Sequence, residues 1–172
     1  MALAQSGGVL EGIDLLQNYE RVVDVLHREN SLKDSLSVTW RAAGRVEQPA
    51  GGKPQVWLSL HLQTQAPLQC QRCLEPYAEP VDLTLDFRFV ATEQQAEQED
   101  EDSEEDLLVL SKHFNLRELV EDELLMALPI VPRHARCPQA VKLSAQDDGF
   151  DAGASGLKKK PFAELKDLLK RP

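Results

Sequence analysis

Cys70 and Cys73 stand two residues apart in the segment LQCQRCLEPY, residues 68–77, and His134 and Cys137 repeat that gap much later in the chain. A two-residue gap lets both side chains reach one tetrahedral ion, so these four donors could together form a closed Cys3His zinc site. Two other uses of the same residues stay open. Sparse cysteines are often small buried thiols, with His134 and Cys137 as ordinary surface residues. A Cys-x-x-Cys pair can also exchange disulfides, but that chemistry favours a thiol at a helix N-terminus, and no βαβ pattern surrounds this one.

Few other residues offer chemistry. The chain has no nucleophile elbow, phosphate-binding glycine loop or metalloprotease histidine pair. His27, His61 and His113 are isolated, without a nearby acid or oxyanion donor to make any of them a general base. A basic set, Arg133, Arg136, Lys142, Lys158, Lys159, Lys160, Lys166, Lys170 and Arg171, occupies the last quarter. Arg133, Arg136, Lys158, Lys159 and Lys160 are the candidate contacts to RNA or another partner, with a solvated tail as the rival reading.

The elements that must position these residues are legible in the hydropathy. Leu36, Val38, Trp40 and Ala42 alternate with polar residues, as do Val56, Leu58, Leu60 and Leu62 after the turn-prone Pro49–Pro54. Val81, Leu83, Leu85, Phe87 and Phe89 share a third face, with Asp82, Thr84, Asp86 and Arg88 opposite, towards water. Three strands with short connections predict an antiparallel meander. Asn115, with Glu118 three residues on, caps a helix whose stripe is Leu116, Leu119, Val120, Leu124, Ala127 and Leu128 and which Pro129 ends. Short terminal helices are expected at 19–27, with Val22, Val23 and Leu26 inward, and from Pro161 to Arg171. The fold class is therefore α+β, an antiparallel β-meander packed by one central helix and short terminal helices.

The 172 residues suit one domain, 1–172, and carry a net charge of −10. Nine of the carboxylates fall in residues 93–106, which have no basic and no aromatic side chain and read as a flexible acidic loop. The basic residues concentrate in a tail, 147–172, whose first ten residues read as a linker. Such a balance argues against a nonspecific nucleic-acid binder while leaving room for a local cationic face. No stretch is long and apolar enough for a membrane span, and residues 1–16 hold no export signal, so the expectation is a cytoplasmic protein with reduced thiols.

Read with the cysteine turn, VEDELLMALPIVP (120–132) and KKPFAELKDLL (159–169) complete a pattern. The three segments, in this order, resemble the YceD family. That resemblance implies a cytoplasmic, non-enzymatic bacterial factor needed for synthesis, processing or stability of 23S ribosomal RNA, with chloroplast relatives in the same kind of role. It implies no catalytic residue and no small-molecule substrate. Some relatives carry more cysteines around the position of Cys137, which makes metal binding there plausible. Partners would be precursor ribosomal RNA or large-subunit ribosomal and assembly proteins; the alternatives are a protein-only adaptor and a thiol redox enzyme.

Overall fold

The computed structural model describes residues 6–27 and 36–139, all of which fall within the compact unit Met1–Gln139. The basic tail, Lys158 to Lys160 and the helix expected from Pro161 lie outside the described residues.

Alternation builds a five-stranded sheet in sequence order, from β1 (Val9–Leu15) through β2 (Ser37–Glu47), β3 (Gln55–Gln69) and β4 (Pro76–Val90) to β5 (Asp106–Val109). The first four strands form the expected antiparallel meander. The fifth departs from it: β5 pairs parallel to β4, Phe87 opposite Asp106 and Val90 opposite Val109. A parallel neighbour needs a crossover, and residues 91–105 supply it. Between β2 and β3, Gly52 N–H donates to Pro49 O at 3.0 Å and Gly51 has φ +77°, the geometry of a type II turn, which requires glycine there.

Register brings the apolar residues of three strands into rows. Trp40, Leu62 and Leu83 form one row, and Ala42, Leu60 and Leu85 the next. Against this face lie helices α1 (Glu20–Val25) and α3 (Leu116–Ala127), through Val22, Leu26, Leu119, Val120 and Leu124. Each fully buried leucine adds about 2 kcal/mol by removing its surface from water. Asn115 caps α3 as its sequence implies, its Oδ1 accepting from Arg117 N–H at 3.1 Å. Two positions differ from the expected amphipathic pattern. Ala127 is exposed, and Glu121, expected in water, is only 13% exposed because Arg21 of α1 binds it.

β1 was not legible, since Val9, Leu10 and Ile13 point to both faces and stay exposed. Its residue Asp14 nevertheless organises a buried corner, accepting from Tyr19 Oη at 2.9 Å and Trp40 Nε1 at 2.8 Å. Burial, then this carboxylate, pushes the Tyr19 hydroxyl well above its ordinary pKa.

The acidic segment is the main correction. Where composition predicts a loop over 93–106, the structure has helix α2 (Glu93–Glu99) and a 3-10 turn (Asp100–Asp102) leading into β5. Thr92 caps α2, and Arg88, expected on the wet face of β4, is 7% exposed beneath the segment. Its guanidinium donates to Glu105, to Glu99 at 2.6 Å and to Ser103 Oγ at 2.9 Å. One cation thus supplies the ordering energy that apolar burial could not. Among the described residues, no helix is long and apolar enough to cross a membrane.

Candidate metal centre

The site begins where β3 runs out. Cys70 N–H donates to Glu75 O at 3.0 Å and Leu74 N–H to Cys70 O at 2.9 Å, folding residues 70–75 into a tight knuckle. Leu74 takes a left-handed φ of 63°, a conformation that costs a side chain about 1 kcal/mol and is held here by those two bonds. The second half arrives after Pro129 has ended α3. Pro132 O accepts from Gln71 N–H at 2.8 Å, and this bond brings His134 and Cys137 over the knuckle.

All four expected donors meet. The ligand atoms of Cys70, Cys73, His134 and Cys137 lie within 4.8 Å of one another, so they could hold a metal ion. Cys70 Sγ is 3.8 Å from Cys137 Sγ, and Cys73 Sγ is 3.4 Å from His134 Nδ1. Tetrahedral bonds to zinc of about 2.3 Å to sulfur and 2.0–2.1 Å to nitrogen give edges of about 3.8 and 3.6 Å. The donor set therefore fits zinc in number and kind, and these two edges fit it in length.

The surroundings also favour thiolate at the centre. Cys70 is fully buried, which works to raise its pKa. Backbone N–H groups of Cys73, His134 and Arg72 outweigh that burial and bring it down to about 5. His134 N–H donates to Cys70 Sγ at 3.4 Å. Cys73 goes the other way, to about 11, through burial and then the two neighbouring sulfurs. Three sulfurs cannot all ionise side by side without a cation between them.

Arg72, in the gap between the two cysteines, completes the arrangement: its Nε donates to Cys137 Sγ at 3.1 Å and a terminal nitrogen to His134 O at 3.3 Å. Its guanidinium opposes the extra negative charge of three thiolates. Sequence reasoning missed Arg72, and also Tyr77, whose ring packs on the His134 ring with centroids 4.9 Å apart. A basic residue inside the Cys-x-x-Cys gap was the available signal. Of the basic candidates, Arg133 and Arg136 are exposed beside the cluster and line a cavity of about 670 Å³ with Arg72, Tyr77, Glu79 and His134. His61, isolated in sequence, lies 3.0 Å from Asp82 on the outer face of the sheet and has no part in the site.

Sheet, covering helices and cluster define an α+β protein whose one assembled group of metal-ligating side chains, among the described residues, ties the end of a β-hairpin to the segment after helix α3. The chain belongs to the YceD family: the family described as large ribosomal RNA subunit accumulation protein YceD matches residues 58–169, a span that includes both halves of the cluster. It is similar to the large ribosomal RNA subunit accumulation protein YceD of Haemophilus influenzae, with 35% identity over 112 residues. That alignment covers 64% of this chain and 63% of the relative. No solved structure matches the chain.

Proposed function

We propose that this chain is a non-enzymatic, cytoplasmic factor that supports synthesis, processing or stability of 23S ribosomal RNA while the large ribosomal subunit is built. The observation that carries this reading is the family match, which spans the sheet from Leu58, the cysteine knuckle and the segment carrying His134 and Cys137. The cluster holds zinc as a structural clip. Four protein donors fill a tetrahedral ion's coordination, so the metal supplies folding energy and leaves no position for a substrate. Arg133 and Arg136, together with Lys158, Lys159 and Lys160, contact phosphates of a precursor RNA.

The thiol redox alternative is weakened by the burial of Cys70, because a thiolate without access to solvent cannot attack a partner's disulfide. A protein-only adaptor is the stronger rival. Glu97, Glu101, Asp102 and Glu104 stand exposed on the ordered acidic segment, a surface suited to a basic ribosomal protein. Rate-zonal sedimentation of lysate separates the two readings. Co-migration with large-subunit precursors that ribonuclease abolishes is the expected result, whereas co-migration that survives ribonuclease selects the adaptor. Unchanged large-subunit RNA in cells lacking the protein would overturn both.

A further inference from the structure

The cavity beside the cluster has an unusual wall. Arg72, Arg133 and Arg136 line it with Tyr77 and His134, whose rings meet at a 43° tilt, and Glu79 is the one acid among the lining residues. Guanidinium groups match phosphate oxygens with paired donors, and aromatic faces accept a nucleobase regardless of its identity. We propose that this groove is a metal-dependent site for single-stranded RNA, in which Arg72, Arg133 and Arg136 hold the phosphodiester and the Tyr77–His134 ring pair takes a base. The inference rests on the functional reading above and names the surface through which it acts.

Metal dependence follows from how the wall is held. Arg133 and Arg136 flank His134 and precede Cys137, so two of the four ligands belong to the same short segment as two of the three cations. Apart from its ligand atoms, that segment is tied down by Pro132 O on Gln71, by Arg72 on His134 O and by His134 N–H on Cys70 Sγ, and the last of these goes to a sulfur of the cluster itself. His134 serves both sides: its Nδ1 faces the cluster, and its ring packs on Tyr77. Arg72 likewise spends Nε and one terminal nitrogen on Cys137 and His134. Withdrawing the ion releases the ring and leaves three sulfurs in contact, which frees the arginine segment from the knuckle. Glu79 turns phosphate away from its own wall of the groove.

Fluorescence anisotropy of a labelled single-stranded oligoribonucleotide with the full-length zinc-loaded chain tests this. The double variant Arg133→Gln/Arg136→Gln leaves every ligand atom and Arg72 in place, so its zinc content and melting temperature should match the parent. Its affinity should fall at least tenfold at low salt. The slope of log affinity against log salt should flatten by about 1.4, two contacts at about 0.7 each for single strands. Chelation of zinc should give a loss at least as large, restored by re-addition of zinc. Tyr77→Leu should weaken binding without changing that slope. Parental RNA affinity in the double variant, or in the chelated protein, would overturn the proposal. In cells, an RNA defect on removing the gene that the double variant rescues fully would mean that the groove is wrong and the functional reading stands. No defect on removing the gene would mean that the reading itself fails.

Discussion

Arg88 and Glu99 meet at 2.6 Å across the boundary between the sheet and the acidic segment, one of three bonds by which the Arg88 guanidinium ties residues 99–105 to β4. Replacement of Arg88 with Met keeps the apolar stem and removes every donor to Glu99, Ser103 and Glu105. Stability should fall by about 1–3 kcal/mol, the scale of hydrogen bonds to charged groups whose acceptors still reach water. Amide exchange should rise across residues 93–105 while β3 keeps its protection. Unchanged exchange there would show that the segment holds itself.

Acid should release the same segment. Glu99 is held below its ordinary 4.5 by hydrogen bonds from Arg88 and then Gln95, and Asp86 below 3.8 chiefly by Arg45. A carboxylate with a depressed folded pKa stabilises the fold above its unfolded value and loses that contribution as pH falls through the folded one. Stability should therefore be flat near neutrality and drop below about pH 4.5. In the Arg88→Met variant the part due to Glu99 should be missing, which a pH series of denaturant unfolding would show.

Glu123 has the opposite sign. Burial, then Asp106 and Asp122, raises its pKa above 4.5, so the ionised form is destabilising at neutral pH. Glu123→Gln should raise the melting temperature by about 1–3 °C at pH 7, and the gain should vanish below about pH 4. A lower melting temperature at pH 7 would contradict that sign.

Gly12 lies against an aromatic ring of the neighbouring strand. A Cβ at this position would stand 2.7 Å from the Trp40 ring, which its hydrogen bond to Asp14 holds in place. Gly12→Ala should cost about 1–3 kcal/mol, as overpacking does, and should shift Trp40 fluorescence to the red as the indole loses Asp14. The variant Trp40→Phe should abolish that spectral response.

Zinc should purify with the chain at one equivalent per molecule. Cobalt substitution should give the visible and thiolate charge-transfer bands of a tetrahedral site with three sulfur ligands and one nitrogen. Arg72→Gln, which removes the N–H to Cys137 Sγ, should weaken metal binding about 10- to 100-fold, the usual effect of losing an outer partner. Zinc affinity equal to the parent's would exclude that role for Arg72.

Strands β2 to β4 and helix α3 were readable because each buries one face, and burial imposes a period that hydropathy records. β1 was not, because VLEGIDL is an edge strand placed by pairing with β2, its apolar residues Val9, Leu10 and Ile13 are exposed, and the residues it partly covers are Gly12 and Asp14, which hydropathy does not mark. Composition alone misjudged α2. Thr92 followed three residues later by Gln95 is a capping signal: Thr92 Oγ1 accepts from Gln95 N–H, and Gln95 Oε1 reaches back to the N–H of Ala91, one residue before the cap, at 3.2 Å each. At the site, the four ligand types and their two gaps were legible. Arg72 stood in the Cys-x-x-Cys gap as a signal, but its bond to the third sulfur depends on Cys137 arriving from 65 residues further on, which no local pattern records.

Cys70 and Cys137 are 67 residues apart. An ion bound by both would make β4, α2, β5 and α3 a single closed ring of chain. Closing a ring of this size early removes conformational entropy from the unfolded chain, worth about 4 kcal/mol by the same reasoning that applies to a disulfide. Synthesis runs from the N-terminus, so the knuckle at Cys70 to Cys73 exists as an incomplete pair until His134 and Cys137 have emerged. With an ion bound, the ring would close only once His134 and Cys137 have arrived, and from then on everything between the two cysteines would open as one unit rather than piecemeal.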